Sequence, residues 1–320
     1  MTVLSAVRRI GRRQPPRAVI LLYHRVAQPH ADPFRLAVSP ERFERQLELL
    51  RGRCRVLSFD ALLDELDNPP SDEPAVVVTF DDGYADNLEH AAPIAAALGI
   101  PLTVFVAVGP VLAGTPFWWD ELAGLVCGTE NLETLSVSVG NRTRRFRTGS
   151  NDERIRACLD LHRLLRRLHE SSRRRVLEEI AVARPSGPAV PGGGRPLTVG
   201  ELQRLDRLAG VTIGSHTVSH PALTSLEPAG RGAELGKSRV ALEDLLGHTV
   251  DLFSYPYGRG SDIDARTVRM AAAAGYRAAC TTVQAAVSGR SRPHALPRLT
   301  VLDWVPAELS RALGRLLPGL

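Results

Sequence analysis

Apolar residues fall in short continuous runs that alternate with stretches of helical period. Residues 18–24 (AVILLYH), 75–80 (AVVVTF) and 101–108 (PLTVFVAV) have strand length and, in the second and third, a β-branched bias. They read as strands buried on both faces of a parallel sheet. Between them the period lengthens. Ser39 caps a helix with Pro40 at its first position, carrying Phe43, Leu47 and Leu50 and stopping at Gly52. Val56-Leu57 is a short strand with a helix starting near Ser58, and another helix runs to Leu98 with Gly99 as its stop. Later, Thr198 and Glu201 have capping-box spacing. Strands at 211–213, 250–255, 278–282 and 297–301 then alternate with helices at 228–246 and 261–274, and a terminal helix follows Pro306. This order predicts an α/β chain of about seven strand–helix units, a closed or nearly closed (β/α) barrel with a doubly wound open sheet as the alternative.

The alternation lapses between residues 109 and 196. That stretch holds Phe117-Trp118-Trp119, a polar strand-like segment at 135–146 and an arginine-rich helical region at 152–183. Leu161, Leu164, Leu165 and Leu168 give the helical region an apolar stripe, so its arginines form a solvated face. A Gly/Pro-rich loop at 185–196 closes it. We therefore expect a largely helical insertion (109–196) within one main domain (18–305), flanked by a basic segment (1–17) and a C-terminal helix (306–320).

Net charge is +5, but Lys237 is the only lysine, so 39 of the 40 basic residues are arginine. That bias resembles GC-rich coding more than selection for phosphate contacts. No aromatic–basic interleaving or nucleic-acid motif accompanies it, and nucleic acid is not expected as a partner. The four cysteines are scattered without a C-x-x-C pair and read as ordinary thiols of a reducing compartment. Residues 1–17 lack the apolar core of a signal peptide, and no run is long enough to span a bilayer. A cytoplasmic location is expected. Val3, Leu4, Val7 and Ile10, set among arginines, offer only a weak membrane-surface helix. Oligomeric state is not readable.

Chemistry in either α/β design belongs at the C-terminal ends of the strands. His24 ends the first strand, Asp81-Asp82 follow AVVVTF, His216 follows the 211–213 strand, and Tyr255-Pro-Tyr-Gly258 ends another. Four strand ends thus bring ionisable or specially shaped residues to one rim. Adjacent carboxylates repel unless a cation lies nearby, and successive residues point to different sides. One aspartate can then ligate a metal while the other faces the reacting water. Taken alone, Asp-Asp-Gly is also good turn chemistry. His216 and His220 have the spacing that a helical turn would place on one face, as in paired-histidine metal sites. Two histidines and one carboxylate leave positions open for water and substrate. His30, His90, His162, His169, His248 and His294 read as surface residues.

Thr79-Phe-Asp-Asp-Gly-Tyr84, Ser215-His-Thr-Val-Ser-His220 and Tyr255-Pro-Tyr-Gly258, in this order and strand context, resemble the polysaccharide deacetylase family (NodB homology, carbohydrate esterase family 4). The resemblance spans roughly residues 18–108 and 196–301. It implies a distorted (β/α) barrel, Asp82, His216 and His220 as metal ligands, and Asp81 as catalytic base. Leu22-Tyr-His-Arg-Val26 is similar to the poly-N-acetylglucosamine deacetylase branch, which makes His24 the general acid. Where the family often carries an arginine before the aromatic-proline turn, this chain has Ser254, and Arg298 is the candidate to supply that charge from another strand end.

The implied reaction is metal-dependent hydrolysis of an acetyl group, expected as N-acetyl, from a glycan or sugar-containing precursor. One divalent ion would serve, Zn²⁺ in first place with Co²⁺, Ni²⁺, Mn²⁺ or Fe²⁺ as alternatives. The Tyr257 backbone N–H is a candidate for the oxyanion, and Tyr255, Tyr257, Trp118 and Trp119 for contact with sugar rings, core packing being the other reading of the tryptophans. Two rivals stand beside this: the same fold and metal acting on a non-sugar amide or imide, and an inactive carbohydrate-binding protein.

Overall fold

Hydrogen bonds around a ring of parallel strands define the architecture. The computed structural model describes residues 16–68, 73–128, 132–140, 142–183 and 193–318. Its barrel strands are β1 (Pro16–Tyr23), β2 (Ala75–Phe80), β3 (Leu102–Val106), β4 (Val211–Ser215), β5 (Leu252–Ser254), β6 (Ala278–Cys280) and β7 (Arg298–Thr300). Each pairs in parallel with its successor from β1 through β6, and β7 pairs in parallel with β1. Between β6 and β7 the link narrows to one bridge, Cys280 with Leu296, where Thr281 N–H donates to Leu296 O and Leu296 N–H to Ala279 O, both at 2.8 Å. The barrel is thus nearly closed, and the open-sheet alternative fails because the last strand returns to the first.

Strand periodicity sorts the side chains. In β1, Ala18 and Ile20 join one apolar cluster and Val19, Leu21 and Tyr23 another. In β2, Ala75 and Val77 share the first cluster while Val76, Val78 and Phe80 share the second. The first cluster fills the barrel interior, with Phe105, Leu252, Ala278 and Cys280 from other strands. Phe59 and Leu62 of the helix Phe59–Asp67 pack into it. The second lies between wall and outer helices, where Phe43, Leu47 and Leu50 of the helix Pro40–Arg53 meet the strands. Extending the inward parity past the strand ends points His24, Asp81, His216 and Arg298 toward the barrel mouth.

Helices lie close to their expected places. Pro228–Leu246 has the expected bounds, ending at Gly247 in the left-handed region (φ 78°). Val199–Asp206 starts with the capping box of Thr198 and Glu201. The helix expected before Leu98 begins instead as one wide turn, Asn87–Ala91, before Ala92–Ala97. Across the interruption run the helix Trp118–Cys127, antiparallel strands Thr134–Val139 and Arg142–Arg147, and helices Asn151–Leu165 and Glu170–Val182. Its apolar core (Leu122, Leu161, Leu165, Leu177 and Ile180 among others) also takes in Tyr84 and Ala107 of the barrel. The insertion therefore packs onto the barrel wall.

The surface-helix reading of Val3, Leu4, Val7 and Ile10 lies outside the described residues, as does most of the loop at 185–196. Among the described residues, no helix is long and apolar enough to cross a membrane.

Phe43 stands edge-on to Tyr23 at 5.2 Å and to Phe80 at 5.6 Å, tying the first outer helix to β1 and β2. Phe43→Ala is predicted to lower the unfolding free energy in urea by about 3–5 kcal/mol. A loss under about 1 kcal/mol would show that this contact does not anchor the wall.

Candidate active site

The mouth of the barrel opens into a cleft of about 440 Å³. His24, Asp81, Asp82, His216, His220 and Tyr257 all line it. Parity accounts for the first of these placements. In β2, Val77, Thr79 and then Asp81 point inward, so Asp81 sits at the top of the interior column. The chain then reverses through two residues of left-handed backbone, Asp82 (φ 76°) and Gly83 (φ 82°). That conformation is ordinary for glycine and costly for aspartate. It swings the second carboxylate across to the two histidines.

Arg298 holds Asp81 from the far side of the barrel. Its guanidinium is fully buried and all five N–H donors are used. Two go to the Asp81 oxygens at 2.8 and 2.6 Å, one each to Thr79 Oγ1 and Ser254 Oγ, and one to Thr281 O. Ser254 Oγ in turn donates to Asp81 Oδ2 at 3.1 Å. The serine standing where the family often has arginine thus bridges the acid to an arginine arriving on β7. Burial alone would raise the Asp81 carboxyl, but the Arg298 charge, His216 and the Arg298 hydrogen bonds outweigh it and hold the group well below the usual carboxylate range.

Asp82 has different company. It, His216 and His220 bring one donor atom each to within 4.8 Å of one another, and all three residues are buried. Asp82 Oδ1 lies 3.5 Å from His216 Nε2 and 3.3 Å from His220 Nε2. Even so, Asp82 Oδ1 and His220 Nδ1 are buried without a hydrogen-bond partner among the described residues. Unsatisfied buried atoms of this kind are rare unless something else binds them. His216 Nδ1 hydrogen-bonds Ser254 O at 2.7 Å, which fixes the tautomer that leaves Nε2 with a lone pair facing Asp82. Burial pushes the His216 pKa down to about 4, keeping the imidazole neutral and able to ligate. This donor set fits a divalent cation with open coordination positions.

The His216–His220 segment is not the helical turn expected from its spacing. It is an irregular loop with Thr217 (φ 69°) and His220 (φ 54°) both left-handed. Glu234, from the helix Pro228–Leu246, ties it down by accepting from Val218 N, Ser219 N and Ser219 Oγ at 2.7–3.0 Å. Thr217 Oγ1 accepts from His220 N at 3.1 Å. These bonds take the place of helical ones. Trp119 packs its ring 4.6 Å from that of His220 and donates through Nε1 to Tyr84 Oη, which donates to Asp120.

Three expectations need correcting. Tyr255 does not reach the cleft: it follows β5 with outward parity, is buried against Phe253, and donates its hydroxyl to His294 O. Arg298 is too deeply buried to meet substrate; it positions Asp81. His162 is likewise not a surface residue. It stacks on Trp118 at 5.0 Å, lines the cleft, and burial pushes its pKa down to about 3. Trp118 and Trp119 both belong to the insertion core, Trp119 alone also lining the cleft. Tyr257 does line it, with φ 61° and a buried hydroxyl that has no hydrogen-bond partner among the described residues.

Comparison with known proteins adds an independent line. The polysaccharide deacetylase family model matches residues 198–279, the segment that carries His216, His220 and the Tyr255–Gly258 turn. Over that segment the chain is similar to the polysaccharide deacetylase family. Bacillus subtilis YxkH, named as a polysaccharide deacetylase, is 21% identical over 290 residues, covering 90% of this chain and 72% of that one. Chitin deacetylase 1 of Cryptococcus neoformans is 41% identical over 83 residues, 26% of this chain and 17% of that one. Among solved structures, the Streptococcus pyogenes deacetylase PplD in complex with acetate superposes with a TM-score of 0.61 at 20% identity, over 93% of this chain and 98% of that one. That similarity establishes the shared deacetylase fold.

The Asp81–Arg298 pair yields a test by double substitution. Arg298→Gln strands a buried carboxylate and is predicted to cost about 3–5 kcal/mol in chemical denaturation. Adding Asp81→Asn should recover much of that loss. If the double variant is as unstable as the sum of the singles, the two side chains are not coupled.

Proposed function

We propose that this chain is a metal-dependent hydrolase that removes acetyl groups, N-acetyl foremost, from an acetylated carbohydrate. The observation that carries this is the division between two adjacent aspartates. Asp81 is neutralised by Arg298, while Asp82 faces two histidines with an unsatisfied oxygen. Similarity of residues 198–279 to the polysaccharide deacetylase family, and of the chain to a relative named for that activity, supports the sugar class of substrate.

Asp82, His216 and His220 would hold the cation, which when bound supplies Lewis acidity for the acetyl carbonyl and acidifies water. Zn²⁺ suits two imidazoles and a carboxylate, with Co²⁺, Ni²⁺, Mn²⁺ or Fe²⁺ as alternatives. Asp81 accepts the proton of the attacking water. Oδ2 already accepts from Arg298 and Ser254, whereas Oδ1 accepts from Arg298 alone and keeps a second lone-pair direction, and the Arg298 fork aims the carboxylate. Its lowered basicity suits a group that must stay ionised beside a neutral histidine. The Tyr257 backbone N–H, at a left-handed turn on the cleft wall, is our candidate to steady the developing oxyanion. His24, at the end of β1, gives a proton to the departing amine so that the C–N bond breaks and free acetate leaves.

Acetate release from N-acetylglucosamine oligomers tests the reading. A chelator should abolish release, and added Zn²⁺ or Co²⁺ should restore it. Undiminished release by protein shown to be metal-free would sink the mechanism. His24→Ala is predicted to lower kcat about 10²–10⁴-fold with metal content retained. Loss of metal would instead make His24 a ligand.

A further inference from the structure

The cleft that holds the acetyl-bearing sugar under the reading above has a rim of one charge. Arg35, Arg163, Arg166 and Arg259 line it, and they come from three separate parts of the chain. Arg35 sits in the turn before the short strand Ala37–Val38, Arg163 and Arg166 at the end of the helix Asn151–Leu165, and Arg259 just after the Tyr255–Gly258 turn. The carboxylates among the lining residues are Asp81 and Asp82, both at the cleft floor. Asp81 is matched by Arg298, and Asp82 by the ion it would hold. No carboxylate among the rim's lining residues therefore offsets the arginines.

Two of the four have no partner. Arg35 and Arg259 are exposed, and their side chains make no ion pair or hydrogen bond among the described residues. Arg163 pairs only with Asp160 across an exposed i,i+3 contact, the kind of bridge that an incoming anion displaces easily. Arg166 pairs with buried Asp262 and lies over the Tyr257 ring at 4.8 Å, so it is fixed in place. Arg35 is also held deliberately. Its backbone is left-handed (φ 56°), and Asp32 secures the turn by accepting from Arg35 N, Leu36 N and Ala37 N. A costly conformation fastened by a buttressing side chain suggests that the position of Arg35 matters.

A neutral N-acetyl sugar has no use for four guanidiniums around one cleft, whose mutual repulsion is a cost. A carboxylate would answer one of them. A phosphate ester carries a charge of about −1.5 to −2 and three acceptor oxygens, which matches several guanidiniums at once. We propose that the substrate is an acetylated amino sugar bearing a phosphate ester, with Arg35 and Arg259 as its phosphate-binding residues at the cleft mouth. This inference rests on the deacetylase reading for the reaction but not for the binding.

The test compares N-acetylglucosamine 1-phosphate with N-acetylglucosamine and with N-acetylmuramic acid, which carries a carboxylate. Zinc-loaded wild type and the Arg35→Gln/Arg259→Gln double variant are each assayed for acetate release and for binding by calorimetry. The phosphorylated sugar is expected to exceed the neutral one about tenfold in kcat/KM and in affinity at low salt. That ratio should fall at least about fivefold in the double variant and shrink as salt rises. Equal use of the phosphorylated and neutral sugars overturns the proposal, as does a ratio indifferent to the double variant or a preference for the carboxylate sugar. If no sugar releases acetate yet the phosphorylated one binds preferentially through these arginines, the reaction reading fails and this inference stands.

Discussion

The buried pair of Arg298 and Asp81 is the constraint on which the rest of the site depends. Two carboxylates on consecutive residues at the floor of an apolar barrel cannot both remain ionised without cations. Arg298 answers one of them with a two-pronged contact and spends its remaining donors on Thr79, Ser254 and Thr281. Asp82 is then left as the carboxylate whose charge must be met by something else. The histidines opposite it, one kept neutral by burial, do not meet that need as an ion would. Division of labour between neighbours in sequence thus follows from where Arg298 lies.

That arginine arrives on the strand that closes the barrel. β7 pairs with β1 and is joined to β6 by a narrow link, so barrel closure and charge compensation are the same structural event. The same strand logic brings His24 and Ser254 to the mouth, because inward parity runs to the end of β1 and of β5. The His216–His220 loop is secured separately, by Glu234 below and by the Trp119 ring beside His220. Through Trp119 and His162 the insertion forms one wall of the cleft, with Tyr257 of the turn after β5 packed against it.

Much of this was legible in the residues. Strand-length β-branched runs and helix caps located the barrel elements, and acidic or histidine residues at strand ends located the mouth. Tyr255 could have been excluded from the cleft by parity alone, since Phe253 and Tyr255 share the outward face of their strand while Ser254 faces Asp81. Other features left no local trace. The left-handed loop between His216 and His220 depends on Glu234, a residue on the following helix whose role is set by tertiary packing. His162 carries a polar label on an arginine-rich helix, and only contact with Trp118 and Phe34 shows it to be part of the cleft wall. Arg298 was recognisable as a candidate, but its role behind the acid could be read only from the five bonds it makes.

Metal stoichiometry in paired single variants tests the division of the two aspartates most directly. Asp81→Asn and Asp82→Asn would be purified with zinc and analysed for bound metal alongside the unaltered protein. Asp81→Asn is predicted to keep about one zinc per chain, as the unaltered protein does, whereas Asp82→Asn loses it. Retention by Asp82→Asn with loss from Asp81→Asn, or equal loss from both, would contradict the account.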